Sequence, residues 1–215
     1  MEENYRLGTR YFEVDFSRSA DGRWLGVHDW EQWQKLSDFA GELPPPASEV
    51  LSRKLGITRK NWAIQNRYSA LSLGWLSEFL AKHPDAFVVT DMKKLDEFEL
   101  FVADVLALEN AHQFVFQAYS IPHVEHIRKI SPKAKIILTL YRMGKRPAIY
   151  DTVAPHRNNL AGITLPMNWA YDPKFLESVK RTGLPLYLHG SPANINSRAL
   201  HAYFAERGVS GFYLD

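Results

Sequence analysis

Short apolar runs rich in β-branched and aromatic residues recur along the chain, and each is followed by a segment with the apolar spacing of a helix. The strand-like runs are RYFEVDF (10–16), AFVVTDMK (86–93), FVFQAYS (114–120), KIILTLY (135–141), AGITLPMN (161–168), PLYLHG (185–190) and GFYLD (211–215). After residue 85 the repeat is about 25 to 30 residues long, which fits one strand and its crossover helix. The pattern predicts an α/β protein built from βα units around a parallel sheet.

Residues 41–67 interrupt this alternation with three consecutive prolines and no clean hydrophobic period. Because the βα pattern resumes afterwards, we interpret the segment as a long loop or small cap inserted into a single domain that spans residues 1–215. The segment also has no acidic residue after Glu49 and carries five basic ones, namely Arg53, Lys54, Arg59, Lys60 and Arg67. It forms either an ordinary solvated surface or a basic lip that attracts an anionic substrate.

The composition is that of an ordinary globular protein, with 46% hydrophobic and 23% charged residues. A formal net charge of +2 is too small for a nucleic-acid-binding surface, so we expect a small-molecule partner and no nucleic acid. The chain has no cysteine, which excludes disulfides, thiolate metal ligands and a cysteine nucleophile. No segment has the length of a signal peptide's apolar core or of a membrane span, and we expect a cytoplasmic protein whose oligomeric state stays open.

Acidic residues lie at the carboxyl ends of two predicted strands, which is where α/β folds bind their ligands. Glu13 and Asp15 are two residues apart, so a strand points both to the same face. Asp91, at the end of a different strand, is the natural third member of the group. Oxygen-only ligands favour Mg²⁺ or Ca²⁺ over zinc. The alternative is an edge strand on which Glu13 and Asp15 both point to water.

Other polar residues at the strand ends suggest the rest of a site. Lys93 is two residues after Asp91 and either forms an ion pair with it or contacts a phosphate beside the metal. His28 follows an ADG sequence typical of a hairpin turn, and it is either structural or a general acid/base that protonates a leaving alkoxide. Gln117, Asn168 and His189 end later strands and are candidates for substrate contact or for anchoring loops.

These motifs together resemble the glycerophosphodiester phosphodiesterases. GTRYFEVDFSRSADGRWLGVHDW is similar to that family's E-x-D, T-x-D-G and H-D signature, with Ser19 and Ala20 where the family commonly has Thr. Asp91-Met92-Lys93 resembles the family's E-x-K metal-binding strand, and FVFQAYS and GVSGFYLD resemble later strands. The resemblance implies a TIM-type (β/α)8 barrel that hydrolyses glycerophosphodiesters with one Mg²⁺ or Ca²⁺. It also implies metal ligation by Glu13, Asp15 and Asp91, acid/base catalysis by His28 and phosphate contact by Lys93.

The chain departs from the family at its start, because the first strand of the form H-R-G or H-A-G, with its catalytic His, has no match. Seven strands are visible where a closed barrel needs eight. A misplaced start or truncated chain, a degenerate barrel with impaired catalysis, or an edge sealed by a partner would each explain the gap, and we favour the first two. Function is therefore expected to be phosphodiester hydrolysis, with a non-catalytic phosphate-ligand binder or scaffold as the alternative. A sphingomyelinase D-type reaction ranks third, because the 41–67 segment is basic and has a single Trp62.

Overall fold

The computed structural model describes residues 1–59, 62–92, 97–146, 148–158, 160–190 and 197–213, with the backbone alone for 56–59 and 62–68. These residues form two compact units, unit 1 (Met1–Phe114) and unit 2 (Val115–Asp215). Each unit is treated by itself below, and the expectation of a single domain stays a prediction. No helix among the described residues combines the length and the apolar character needed to cross a membrane.

Unit 1 contains a parallel strand pair extended by a short hairpin. Strand β1 (Tyr11–Arg18) runs parallel to β5 (Phe87–Met92), in register from Tyr11↔Phe87 to Phe16↔Met92. Strand β2 (Trp24–Gly26) pairs antiparallel with the end of β1. Gly22 in the connecting turn has a φ of +81°, a conformation that glycine adopts without strain. The hairpin predicted from the ADG sequence is therefore confirmed.

The segment at 41–67 has secondary structure of its own, so it is not a structureless loop, and its interpretation as a small cap stays a prediction. It contains helix α3 (Ala47–Ser52) and strands β3 (Leu55–Arg59) and β4 (Trp62–Tyr68), which pair antiparallel as a separate two-stranded sheet. The other described helices of unit 1 are α1 (Glu2–Arg6), α2 (Trp30–Ser37), α4 (Leu73–Lys82) and α5 (Phe98–Leu106).

Unit 2 follows the predicted alternation closely. Its strands are parallel neighbours in chain order: β6 (Phe114–Ala118), β7 (Lys135–Thr139), β8 (Leu160–Pro166), β9 (Leu186–His189) and β10 (Gly211–Phe212). The helices between them are α6 (Ile121–Ile130), α7 (Ile149–Val153), α8 (Pro173–Lys180) and α9 (Arg198–Ala205). Counting β1 and β5 of unit 1, the described residues contain the seven strands expected from the sequence, each parallel to a neighbour within its own unit.

Polar residues fix where several of the helices begin. Ser120, Asp172 and Ser197 precede α6, α8 and α9, and each side chain accepts a hydrogen bond from a backbone N–H of the first turn. The strands that precede these helices are mostly apolar, with Gln117, Thr164 and His189 as their polar residues, and all five residues of β6 are buried. A parallel strand covered on both faces requires this kind of continuous apolar run.

Candidate metal and catalytic site

Three carboxylates come together at the carboxyl end of the β1–β5 pair. Glu13 and Asp15 alternate with apolar neighbours along β1 and point to one face. The register places Asp91 of β5 directly beside Asp15. One ligand oxygen from each of the three carboxylates lies within 4.8 Å of the other two. The pairing of the two strands thus brings together residues that are 76 positions apart in the sequence.

The cluster runs from the protein interior to the surface. Asp91 is buried, with 4% of its surface exposed, Asp15 is half-buried and Glu13 is exposed. Two carboxylate charges about 4 to 5 Å apart repel by about 3 to 4 kcal/mol at an effective dielectric constant of about 20. A divalent cation between them would turn this repulsion into attraction. The three carboxylates could supply part of the coordination shell of Mg²⁺ or Ca²⁺, and the exposed side of the cluster stays open. Both ions complete their coordination with water or substrate oxygens.

His28 lies just beyond β2 and is held by its neighbour Asp29. The Nδ1 atom of His28 is 2.7 Å from Oδ2 of Asp29, and 51% of the His28 side chain is exposed. Asp29 is also the N-cap of α2, where its Oδ1 accepts a hydrogen bond from the Gln32 backbone N–H at 2.6 Å. That backbone bond, followed by the His28 bond, holds the pKa of Asp29 below its usual range. The ionised carboxylate can only accept, so Nδ1 of His28 donates to it and Nε2 is the ring nitrogen that can exchange a proton with a ligand.

Asp29 was not assigned a role from the sequence. The signal that could have identified it is its position, because an Asp directly before the amphipathic segment WEQWQKLS is typical of a helix N-cap. A capping Asp has a fixed orientation, and a fixed carboxylate next to a histidine orients the imidazole. Asp29 is therefore a positioning residue for His28.

The hairpin that carries His28 is anchored at both ends. At the turn, Oδ1 of Asp21 accepts hydrogen bonds from the Ser19 hydroxyl at 2.7 Å and from the Ala47 backbone N–H of α3 at 2.8 Å. At the other end, Gly26 donates its N–H to the Leu71 carbonyl at 2.7 Å. A Cβ on Gly26 would lie 2.8 Å from Cδ1 of Leu71, so the Leu71 side chain would have to move if this residue were larger than glycine.

The predicted substrate contacts of unit 2 have different environments. Gln117 is buried, and its Nε2 donates to the Tyr119 hydroxyl at 2.6 Å. Asn168 is exposed in the short 3₁₀ turn after β8. His189 ends β9 with its Nε2 atom buried, and none of the described residues forms a hydrogen bond with that atom. Burial lowers the pKa of His189, which favours the neutral ring. Their roles as substrate contacts stay predictions.

Two further expectations concern basic residues. Lys93 lies outside the described residues, so its contact with phosphate stays a prediction. Arg53, assigned to the possible basic lip, is bound within the protein: its Nε is 3.1 Å from Oε2 of Glu49, and its Nη1 donates to the Ser37 carbonyl at 3.2 Å. This guanidinium therefore joins α3 to the end of α2. The side chains of Arg59, Lys60 and Arg67 lie outside the described part of the chain.

The order of strands and helices and the cluster of carboxylates at strand ends define an α/β protein of the TIM-barrel type with a candidate cation site. Solved structures of phosphodiesterases are among those to which this chain is similar. A glycerophosphodiester phosphodiesterase from Agrobacterium tumefaciens matches with a TM-score of 0.73 and 22% identity, over 100% of this chain and 87% of that one. The corresponding Thermotoga maritima structure matches with a TM-score of 0.72 and 14% identity, over 99% and 84%.

A third structure is that of an Oleispira antarctica phosphodiesterase in complex with the product sn-glycerol-3-phosphate. It matches with a TM-score of 0.74 and 14% identity, over 97% of this chain and 82% of that one. No protein-family model matches the chain, and no curated protein does. The predicted α/β fold of the TIM-barrel type, and the resemblance to glycerophosphodiester phosphodiesterases at the level of the fold, are confirmed. The absence of a first βα unit stays a prediction.

Proposed function

We propose that this protein hydrolyses glycerophosphodiesters to glycerol phosphate and an alcohol, using Mg²⁺ or Ca²⁺ bound by Glu13, Asp15 and Asp91. The observation that carries the proposal is the convergence of these carboxylates within 4.8 Å at the carboxyl end of parallel strands. The similarity in fold to phosphodiesterases, one of them bound to sn-glycerol-3-phosphate, supports the choice of substrate. We further propose a cytoplasmic location and no nucleic-acid partner, as expected from the sequence.

The metal, when bound, supplies Lewis-acid polarisation of a phosphoryl oxygen. The protein's own residues then handle the proton. Protonated His28 gives the proton on Nε2 to the oxygen of the departing alcohol as the P–O bond breaks and a water oxygen bonds to phosphorus. The attacking water loses one proton to solvent, and His28 regains a proton from solvent before the next turnover. Asp29 holds Nδ1–H at 2.7 Å, so its negative charge stabilises the imidazolium form that acts as the acid. Lys93 is proposed to offset the remaining phosphate charge.

Hydrolysis of glycerophosphoinositol, followed as release of glycerol phosphate, tests the proposal. We expect turnover that requires millimolar Mg²⁺ or Ca²⁺ and stops when EDTA is added. Glu13→Gln should abolish turnover, whereas Glu109→Gln, which alters an exposed carboxylate on the loop after α5, should not. If the wild-type protein binds the metal and glycerol phosphate yet releases no product, the proposed hydrolysis is wrong. The alternative, a non-catalytic binder of phosphate ligands, would then hold.

A further inference from the structure

Charge is divided unevenly between the two units. Unit 2 contains 13 Lys and Arg residues against 6 Asp and Glu residues, which gives it a formal charge of +7. Because the whole chain has a formal charge of +2, unit 1 has a formal charge of −5. The small net charge of the chain thus conceals a strongly basic half. Such an asymmetry is typical of proteins that bind extended anionic partners.

Part of this positive charge lies at the amino ends of the unit 2 strands. The turns that precede β7, β8, β9 and β10 each carry one basic residue, and these residues are Lys133, Arg157, Arg181 and Arg207. All four are exposed. The strands are parallel neighbours, so their amino ends lie at one edge of the sheet, with adjacent backbones about 5 Å apart. We call these four residues the basic row.

Hydrogen bonds between neighbouring segments hold the turns of the basic row in place. The Arg128 guanidinium, in the last turn of α6, donates to the carbonyls of His156 and Asn158, the two residues that flank the arginine before β8. The Ser210 N–H, in the turn before β10, donates to the Leu186 carbonyl of β9 at 2.7 Å. Each turn is therefore tied to the segment beside it, and the cations keep fixed positions along the edge.

Little negative charge compensates the basic row. Lys133 and Arg157 form no ion pair within the described part of the chain. The Arg181 guanidinium lies 4.4 Å from the centre of the Tyr150 ring, which orients this cation without cancelling its charge. Glu206 is the acid within these turns, and its Oε2 is 3.9 Å from Nη1 of Arg207. The net charge of the edge is therefore positive.

A nucleic acid and an anionic membrane surface are the two extended partners that such an edge could bind. The described residues of the four turns (131–134, 157–158, 181–185 and 206–210) include no Phe, Tyr or Trp on which a base could stack. The row consists instead of separate cations at one level of the sheet, which suits a flat array of anionic headgroups. These features favour the membrane surface.

We propose that the basic row of unit 2 binds the surface of a membrane that contains anionic phospholipids. Lys133, Arg157 and Arg181 contact the phosphate and carboxylate groups of the lipid headgroups. The attachment is electrostatic and peripheral. This proposal does not depend on the hydrolysis proposed above, because it uses none of the carboxylates or His28.

Sedimentation of the full chain with lipid vesicles measures this binding. The anionic vesicles contain phosphatidylcholine and phosphatidylserine in a ratio of about two to one, and vesicles of phosphatidylcholine alone are the neutral control. We expect binding to the anionic vesicles only. The binding should weaken as KCl is raised from about 0.1 M to about 0.5 M, because salt screens exposed charges. Equal binding to both kinds of vesicle, or binding to neither, would overturn the proposal.

A pair of double variants locates the binding on the basic row. Lys133→Gln/Arg157→Gln should lower the partition coefficient for anionic vesicles about 25-fold, which corresponds to about fivefold for each charge removed. Lys174→Gln/Arg198→Gln is the matched control. It also removes one Lys and one Arg from exposed positions of unit 2, but at the starts of α8 and α9, which follow the carboxyl ends of β8 and β9. If both double variants lose the same affinity, the basic row is not the membrane-binding surface.

Two further measurements separate charge from folding and lipid from nucleic acid. Lys133→Arg/Arg157→Lys keeps both charges and should bind the anionic vesicles as tightly as the wild type; a loss of binding would contradict an electrostatic contact. A single-stranded oligonucleotide of about 20 nucleotides is followed by fluorescence anisotropy at the same salt concentrations. If Lys133→Gln/Arg157→Gln weakens oligonucleotide binding but not vesicle binding, the row binds nucleic acid and the membrane proposal is wrong.

Discussion

Asp29 performs two tasks with one side chain, and each uses a different oxygen. Oδ1 caps α2 through the Gln32 backbone N–H, while Oδ2 accepts from Nδ1 of His28. The cap fixes the carboxylate, and the carboxylate in turn fixes the tautomer and direction of the histidine. Asp29, the N-cap of α2, therefore also orients His28, the proposed acid/base group.

Substitution of Asp29 separates these tasks. Asn is as good an N-cap as Asp, so Asp29→Asn should change the free energy of unfolding by less than about 1 kcal/mol while lowering kcat about 100-fold, because the carboxylate that stabilises the imidazolium is gone. Asp29→Ala should lower kcat similarly and also cost about 1 kcal/mol of stability through the lost cap. Steady-state kinetics and urea unfolding measure the two effects. Unchanged kcat in Asp29→Asn would contradict the positioning role.

Asp29 also predicts a pH dependence of stability. Its pKa is lower in the folded protein than in the unfolded chain, so the stabilisation it provides is fully present above the unfolded pKa and is lost as the pH falls through the folded one. The free energy of unfolding of Asp29→Asn should therefore change less than that of the wild type between about pH 6 and about pH 3, the range around an ordinary carboxyl pKa. Urea unfolding at a series of pH values gives, for each protein, the slope of the free energy of unfolding against pH. Parallel slopes would show that the Asp29 pKa is not shifted by folding.

At the level of elements, the hairpin of β1 and β2 depends on a glycine that allows a close approach. Gly26 pairs with Phe16 of β1 and donates to the Leu71 carbonyl just before α4, and a Cβ would also come within 3.3 Å of Val14 Cγ1. His28 follows two residues later. Any displacement of Gly26 would therefore move the proposed acid/base group.

We expect Gly26→Ala to destabilise the protein by about 1 to 2 kcal/mol, because Leu71 must move to accept the methyl group. Gly74→Ala is the matched control: the nearest atom to a Cβ there is Ser72 Oγ at 3.9 Å, and the residue lies in α4. That change should stabilise the protein by about 0.5 to 1 kcal/mol. Chemical denaturation of both variants measures the two changes in the free energy of unfolding. A neutral Gly26→Ala would show that the hairpin adapts easily.

The anchor between the hairpin turn and α3 is a second prediction at this scale. Asp21 accepts the Ala47 N–H, and the Ser19 hydroxyl followed by this backbone bond holds the pKa of Asp21 below its usual range. Asp21→Ala should speed hydrogen exchange of the Ala47 amide and lower the melting temperature, whereas Glu109→Gln should change neither. Unaltered exchange at Ala47 would mean that other contacts hold α3.

For the molecule as a whole, the repeating βα pattern was sufficient to predict the seven strands. Short continuous apolar runs followed by helical segments are typical of parallel strands that are buried on both faces. The grouping of Asp91 with Glu13 and Asp15 was predicted from strand ends alone, whereas the register that pairs Asp15 with Asp91 was not. The α3 helix and the β3–β4 sheet could not be predicted, since three prolines and mixed periods hide both patterns. The contacts of Arg53, Asp21 and Asp29 were also missed, since each depends on which backbone group lies nearby in three dimensions.

Metal binding should also stabilise the folded protein. An ion that binds only the native carboxylate cluster raises the free energy of unfolding by about 2.7 kcal/mol at a concentration 100 times its dissociation constant. Thermal unfolding in EDTA and in millimolar Mg²⁺ or Ca²⁺ should therefore give different melting temperatures. The difference should fall to about half or less in Glu13→Gln, whose metal affinity is expected to be at least about tenfold lower, and persist in Glu109→Gln.

Calorimetric titration of the EDTA-treated protein with Mg²⁺ and with Ca²⁺ tests the central claim most directly. We predict that one of these cations binds the wild type at one ion per chain, that Glu13→Gln weakens this binding at least about tenfold through loss of one carboxylate ligand, and that Glu109→Gln does not. If neither cation binds the wild type, or if Glu13→Gln binds as tightly, the carboxylate cluster is not a metal site and the proposed hydrolysis loses its basis.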